Sequence, residues 1–300
     1  MPTPWQRWRN RAKKRGPEPD PAPAPDQPVL LVHFGDMHVG SSLALWPPDV
    51  PLADGGGWLW SELQDWYWAR WLEFWQDTAA LKEEHGAWCV AISGGDERDG
   101  DHHGTTQLVS ADEDDQDQAV EVVLQVAEPV VDEWVFVRGT PSHGCATERY
   151  ARDAAWRGWN VVPNEGKWSH WIYTGEHGGV RVEVAHTPGT KSWVPTTKGA
   201  TCARHAQYTK TEYNESGIQP PHVVIRHHVH YWQGPGCDGE TCCFFIPGWQ
   251  AASNWVMGRG VKSATTSNFV QGGLRLLCQG GVWRHFWWLR RPESRVAWAK

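Results

Sequence analysis

Five short apolar runs recur along this chain, and each ends abruptly in polar, glycine-containing sequence: VLLVHF (29–34), AWCVAI (87–92), EWVFVR (133–138), RVEVAH (181–186) and HVVIRHH (222–228). Runs of this length, apolar at consecutive positions and bounded by turn residues, suit strands covered on both faces. Between the first two, Leu63, Tyr67, Trp71, Phe74, Thr78 and Leu81 keep helical spacing, and Ser61 with Gln64 forms a capping-box pattern. Further helices are predicted from about Asp117 to Val131 and from about Thr147 to Trp156. Strands that alternate with helices specify an α/β fold, and α/β sheets gather ligands beyond the carboxyl ends of their strands.

Those ends are rich in metal-binding residue types. The first run is followed by GDMHVG with Asp36 and His38, the second by GGDERDGDHHG with Asp96, Asp99, His102 and His103, and the third by RGTPSHG with His143. The fourth ends in His186 and the fifth delivers His227, His228 and His230. Strand alternation sends His228 and His230 to one side and His227 to the other. A lone histidine is more often structural than catalytic. Five such groups at five consecutive strand ends are much harder to reach by chance.

The order Asp-x-His, Gly-Asp, a Gly-x-His-type turn, a lone His and His-x-His resembles the calcineurin-like metallophosphoesterase superfamily from about Val29 to the end of the chain, and the finer likeness is to phage-encoded members. The resemblance implies an α/β sandwich of two mixed β-sheets flanked by helices, which suits the later strand-like stretches CCFFIP (242–247), GLRLLC (273–278) and VWRHFWWL (282–289). It implies that Asp36, His38 and His230 hold one metal, that His186 and His228 hold the other, and that Asp96 bridges both. The cofactors would be two divalent ions of manganese, zinc or iron, and the activity hydrolysis of a phosphomonoester or phosphodiester, nucleic acid included, by a water activated between them. The DNA-processing exonuclease branch shares the D-x-H-x-G opening, which makes a nuclease one subclass. His227 stands where the family usually has glycine and is expected to be no metal ligand. One motif departs: where the family has Gly-Asn-His and an acid, this chain reads GTPSHG, so Thr140 replaces the asparagine and His143 falls two places late. A longer turn that still delivers His143 would let it act as general acid or phosphate donor, with metal ligation as the next role.

With 300 residues, 40% hydrophobic and 21% charged, the chain suits one large globular domain. No run of eighteen apolar residues exists and the N-terminus lacks a secretory core, so a cytoplasmic protein with no membrane contact is expected. Seven irregularly spaced cysteines agree with reduced thiols, and CDGETCC (237–243) reads as a loop with free thiols. Residues 1–16 carry six basic residues and no acid, and the alternating prolines of GPEPDPAPAPDQP follow, so 1–28 reads as a disordered tail and 29–300 as the phosphoesterase domain. Trp5 and Trp8 within that tail would suit nucleic-acid contact. ADEDDQD (111–117) reads as a solvated helix start. PGTKSW (188–193) lacks the spacing of a phosphate loop, although Lys191 could face a substrate phosphate. The 23 tryptophans far exceed ordinary usage; Trp71 and Trp75 fit a core stripe, and Trp58 and Trp68 read as exposed. A second class of function is a catalytically weakened, metal-stabilised scaffold that associates with nucleic acid through its tail.

Overall fold

The computed structural model describes residues 22–102, 104–143, 146–187, 198–251 and 270–292. The tail to residue 21, with Trp5 and Trp8, and His103, Cys145 and Lys191 lie outside them. Among the described residues ten strands form two five-stranded sheets. The first runs β10 (Val282–Arg290), β9 (Gln271–Gln279), β1 (Val29–Phe34), β2 (Trp88–Ser93), β3 (Glu133–Phe136), and the second β4 (Ile172–His177), β5 (Val180–Ala185), β6 (Val223–Arg226), β8 (Thr241–Phe245), β7 (Gln233–Asp238). β1, β2 and β3 are parallel, β9 runs antiparallel to β1 and β10 antiparallel to β9, while β5, β6 and β8 are parallel with β4 and β7 antiparallel to them. Both sheets are mixed, as expected.

Side-chain alternation along β1 explains the layering. Val29 and Leu31 point between the sheets, where they meet Val90, Ile92, Val182, Val184, Val223, Ile225 and Phe244. Leu30, Val32 and Phe34 point the other way, against helices α1 (Glu62–His85), α2 (Glu113–Gln125) and α3 (Thr147–Trp156). Helix α4 (Lys198–Glu215) covers the outer face of the second sheet through Cys202 and Ala206. The capping box at Ser61 and Gln64 is present at the start of α1.

Four expectations change. α2 begins four residues earlier than its apolar period suggests, because the Asp112 side chain accepts from Asp114 N–H and caps the helix there. The acidic run that forms its cap and first turn is only partly solvated: Asp117 is buried, pairs with Arg98 at 3.1 Å and accepts from the Tyr150 hydroxyl. CDGETCC is no loop of free thiols. It folds as the β7–β8 hairpin, whose register places Cys237 opposite Cys242, and these two form a disulfide. Cys89, Cys202, Cys243 and Cys278 are free and buried. Trp58 and Trp68 are half-buried against the helical core instead of exposed. Part of the tryptophan excess has a packing role, since Trp71, Trp75, Trp249 and Trp288 interlock with Phe34 and Phe74 at centroid distances from 4.9 to 5.9 Å. No helix among the described residues is long and apolar enough to cross a membrane.

Candidate metal centre

The carboxyl ends of β1, β2 and β3 in the first sheet meet those of β5 and β6 in the second, and the loops leaving them converge. Asp36, Asp96, His186 and His228 bring one ligand atom each within 4.8 Å of one another, and Asp36, His38 and His230 form a second such group. Every residue carried over from the resemblance as a ligand is in one of the two. Asp36 belongs to both groups and Asp96 to the first, and His38, Asp99 and His143 form a third group beside them.

The backbone marks the same residues. Asp36, His38, Asp96, His228 and His230 all have positive φ, between 46° and 70°, with Asp49 and Glu165 the other described non-glycine residues in that region. Each such conformation costs about 1–3 kcal/mol and persists where surrounding structure imposes it, which is most often at a functional site. Here the imposing contacts are hydrogen bonds: Asp36 N–H donates to Gly95 O at 2.9 Å, His38 N–H to Asp96 O at 3.0 Å, and His228 N–H to Asp36 Oδ2 at 3.0 Å. The turns are thus tied to one another.

Three imidazoles have their Nδ1 committed to acceptors behind them. His186 Nδ1–H donates to Gly94 O at 2.6 Å, His143 Nδ1–H to Asp99 O at 2.6 Å, and His38 Nδ1–H to Asp99 Oδ1 at 3.0 Å. Each then presents Nε2 to the centre, which is how a metal-binding histidine is usually oriented. His38 Nε2 faces His230 Nε2 at 3.1 Å. Asp36 Oδ1 is buried and has no hydrogen-bond partner among the described residues, while lying 3.4 Å from His230 Nε2 and 3.8 Å from His186 Nε2. Buried carboxylate oxygens and imidazole nitrogens aimed at common points are a donor set that suits divalent transition ions.

Asp99 was one acid among several in the sequence, yet it does a distinct job. Its side chain is buried and also meets His102 Nε2 at 3.4 Å and the Gln250 amide at 3.3 Å. The acid three places after Asp96 was the one signal that could have singled it out. Thr140 grips Asp96, its N–H donating to Oδ1 at 2.7 Å and its hydroxyl lying 3.1 Å from Oδ2. The two extra residues of GTPSHG, Pro141 and Ser142, form a single 3-10 turn together with His143, which sets the His143 ring 4.4 Å from that of His38 and its Nε2 3.9 Å from Asp96 Oδ2. His102 stacks edge-on against His143 at 4.3 Å on the partly exposed rim. His227 lies in neither ligand group and is fully buried behind them.

Electrostatics follow from this crowding. Burial alone would raise Asp36, but His186 and His230 hold it well below the usual carboxylate range; Asp96 is likewise lowered, by His186 and His38 against its burial. Burial works against a charged His186, but Asp36 and Asp96 outweigh it and push the ring up to about 9. His143 goes the other way, down to about 4, through burial and the neighbouring His38. At neutral pH His186 therefore carries a proton that a cation must displace, and binding that releases one proton tightens about tenfold per pH unit. Mn2+ affinity is expected to rise steadily from about pH 6 to about pH 8 and to level off near the His186 pKa of about 9. Competition titrations across that range check it, and a flat profile would remove His186 from the ligand set.

No protein-family model and no curated protein matches this sequence. Among solved structures the chain is similar to a Vps29 variant from Entamoeba histolytica, at 9% identity and TM-score 0.39, over 88% of this chain and 100% of that one. It is also similar to the sulfate thiohydrolase SoxB from Thermus thermophilus, at 14% identity and TM-score 0.40, over 93% of this chain and 60% of the other. A 5'-nucleotidase precursor, also from Thermus thermophilus, aligns at 12% identity and TM-score 0.34, over 90% of this chain and 57% of its own. These scores are low, so the architecture described above stands on its own strand order and register.

Proposed function

We propose that the protein is a metal-dependent phosphoesterase that hydrolyses a phosphomonoester or phosphodiester at a centre for two divalent ions. The observation that carries this reading is the pair of ligand groups joined through Asp36, with Asp36, His38 and His230 in one and Asp36, Asp96, His186 and His228 in the other. Divalent ions held there supply Lewis acidity, which lowers the pKa of a water and offsets negative charge on phosphoryl oxygens.

The chain's own groups prepare the site for that chemistry. Asp36 and Asp96, both kept ionised, would offset the positive charge of cations held there. Asp99 fixes the His38 tautomer, Gly94 O fixes that of His186, and Thr140 stops Asp96 from rotating. His102, His143, His228 and His230 are the half-buried histidines around the site, so an ester would approach over them. A neutral His143 whose Nδ1–H is spent on Asp99 O offers a lone pair at Nε2, and a lone pair accepts. This favours ligation in place of the missing asparagine over proton donation.

Purified protein titrated with Mn2+ is expected to bind two ions per chain and to hydrolyse bis-p-nitrophenyl phosphate or p-nitrophenyl phosphate in proportion to that occupancy. Binding of one ion or none removes the two-metal reading; two ions without turnover of either ester would favour a metal-stabilised scaffold.

A further inference from the structure

We infer that His227 is a positioning residue, the spacer that fixes how closely the Asp36 and Asp96 turns of the first sheet approach the His186 and His228 ligands of the second. The inference rests on the two-metal reading above. His227 follows Val223 and Ile225 in the alternation that faces the first sheet, so its ring reaches across the gap between the sheets. There it meets the backbone just ahead of both carboxylates. A Cβ added to Gly94 would lie 2.2 Å from the ring's Cε1 and Nε2, and one added to Gly35 would lie 2.7 Å from Nδ1. Neither glycine has positive φ, so backbone conformation does not require glycine at either place. The room taken by the imidazole does.

The ring's surroundings connect it to Asp36, Asp96, His186 and His228. Gly35 precedes Asp36, and Gly94 precedes Gly95 and Asp96. Gly94 O also anchors His186 Nδ1, so any shift of Gly94 moves that ligand as well. His227 N–H donates to His186 O at 3.0 Å, and the two rings lie parallel with centroids 6.5 Å apart. Nδ1 stands 3.8 Å from Asp36 Oδ2, the oxygen that accepts from His228 N–H. Interiors are packed too densely to absorb a change of this size without movement of the neighbours. Ligands from the two sheets are therefore held apart by one side chain.

The test is a reciprocal exchange of volume between positions 94 and 227. Gly94→Ala places a methyl on the ring, and His227→Ala withdraws the ring; each is expected to weaken Mn2+ binding roughly 10- to 100-fold, the scale on which residues that orient ligands act. The double variant His227→Ala/Gly94→Ala puts the methyl into the space the ring has left and should recover most of the loss, a coupling that independent sites do not show. Affinity is read by competition with a chelating dye, beside the unfolding midpoint of each metal-free protein. His227→Ala adds no clash, so its comparison with the double variant decides the matter even where Gly94→Ala alone does not fold. Wild-type affinity in His227→Ala, or a double variant no better than His227→Ala, overturns the spacer. If the wild type binds no Mn2+, the two-metal reading falls; the spacer is then judged from the metal-free midpoints, where strictly additive effects overturn it.

Discussion

Asp36→Asn is expected to empty both cation positions and to lower turnover by more than about 10³-fold, since loss of even one well-placed electrostatic donor costs about 10²–10³. Asp36 alone belongs to both ligand groups, and it is fully buried. Asparagine keeps the shape and tolerates the residue's φ of 50° nearly as well as aspartate does, so the turn should survive. It retains an oxygen that can accept from His228 N–H, but it presents an uncharged group, and in one orientation an N–H donor, to His230 and His186. The charge that holds two cations together is gone. Asp96→Asn is the informative companion, because Asp96 sits in one group and its loss should release one ion. Elemental analysis with kinetics on a folded variant, checked by its unfolding midpoint, separates the cases. Two ions retained in Asp36→Asn, with both lost in Asp96→Asn, would restore Asp96 as the bridge.

The strands and candidate ligand residues could be read from sequence where burial on both faces left continuous apolar runs that stopped at the site. β1, β2, β5 and β6 are of this kind, and their ends carry Asp36, Asp96, His186 and His228. Elements with one open face left weaker signals. β4, as IYTGEH, alternates buried and exposed residues and contains glycine, and β7, as QGPGCD, reads as a turn. α4 shows little apolar period because it meets β7 through small residues: a Cβ on Gly236 would lie 2.4 Å from that of Cys202. The opposition of Cys237 and Cys242 depends on that hairpin's register, which no spacing rule supplied. Within the site, residue types were legible and geometry was not. The left-handed backbone of five of its residues, the membership of Asp36 in two candidate groups and the contacts of Asp99 go with hydrogen bonds between segments some 60 to 190 residues apart, such as His38 with Asp99 and Asp36 with His228.

His143→Ala is expected to reduce metal content from two ions per chain to one and to slow an activated aryl ester and an alkyl phosphodiester alike. Loss of a residue that merely orients a ligand costs about 10- to 100-fold in affinity, so loss of a ligand should exceed about 100-fold. The expectation follows from where the ring's proton sits. Its Nδ1–H is bound to Asp99 O at 2.6 Å, and burial together with His38 lowers the ring to about 4, so near neutral pH Nε2 faces Asp96 as a lone pair. Thr140, which holds the asparagine's place in the sequence, has turned its hydroxyl to Asp96, leaving His143 as the group that can complete that side. A proton donor would behave otherwise. Its removal would leave both ions bound and cost about 10²- to 10⁴-fold on the alkyl ester, with a smaller deficit on p-nitrophenolate, a leaving group that needs little protonation. Metal analysis beside paired kinetics on the two esters distinguishes the outcomes. Two ions retained with a deficit confined to the alkyl ester would return His143 to general acid; two ions retained with equal deficits would make it a hydrogen-bonding partner of the phosphate.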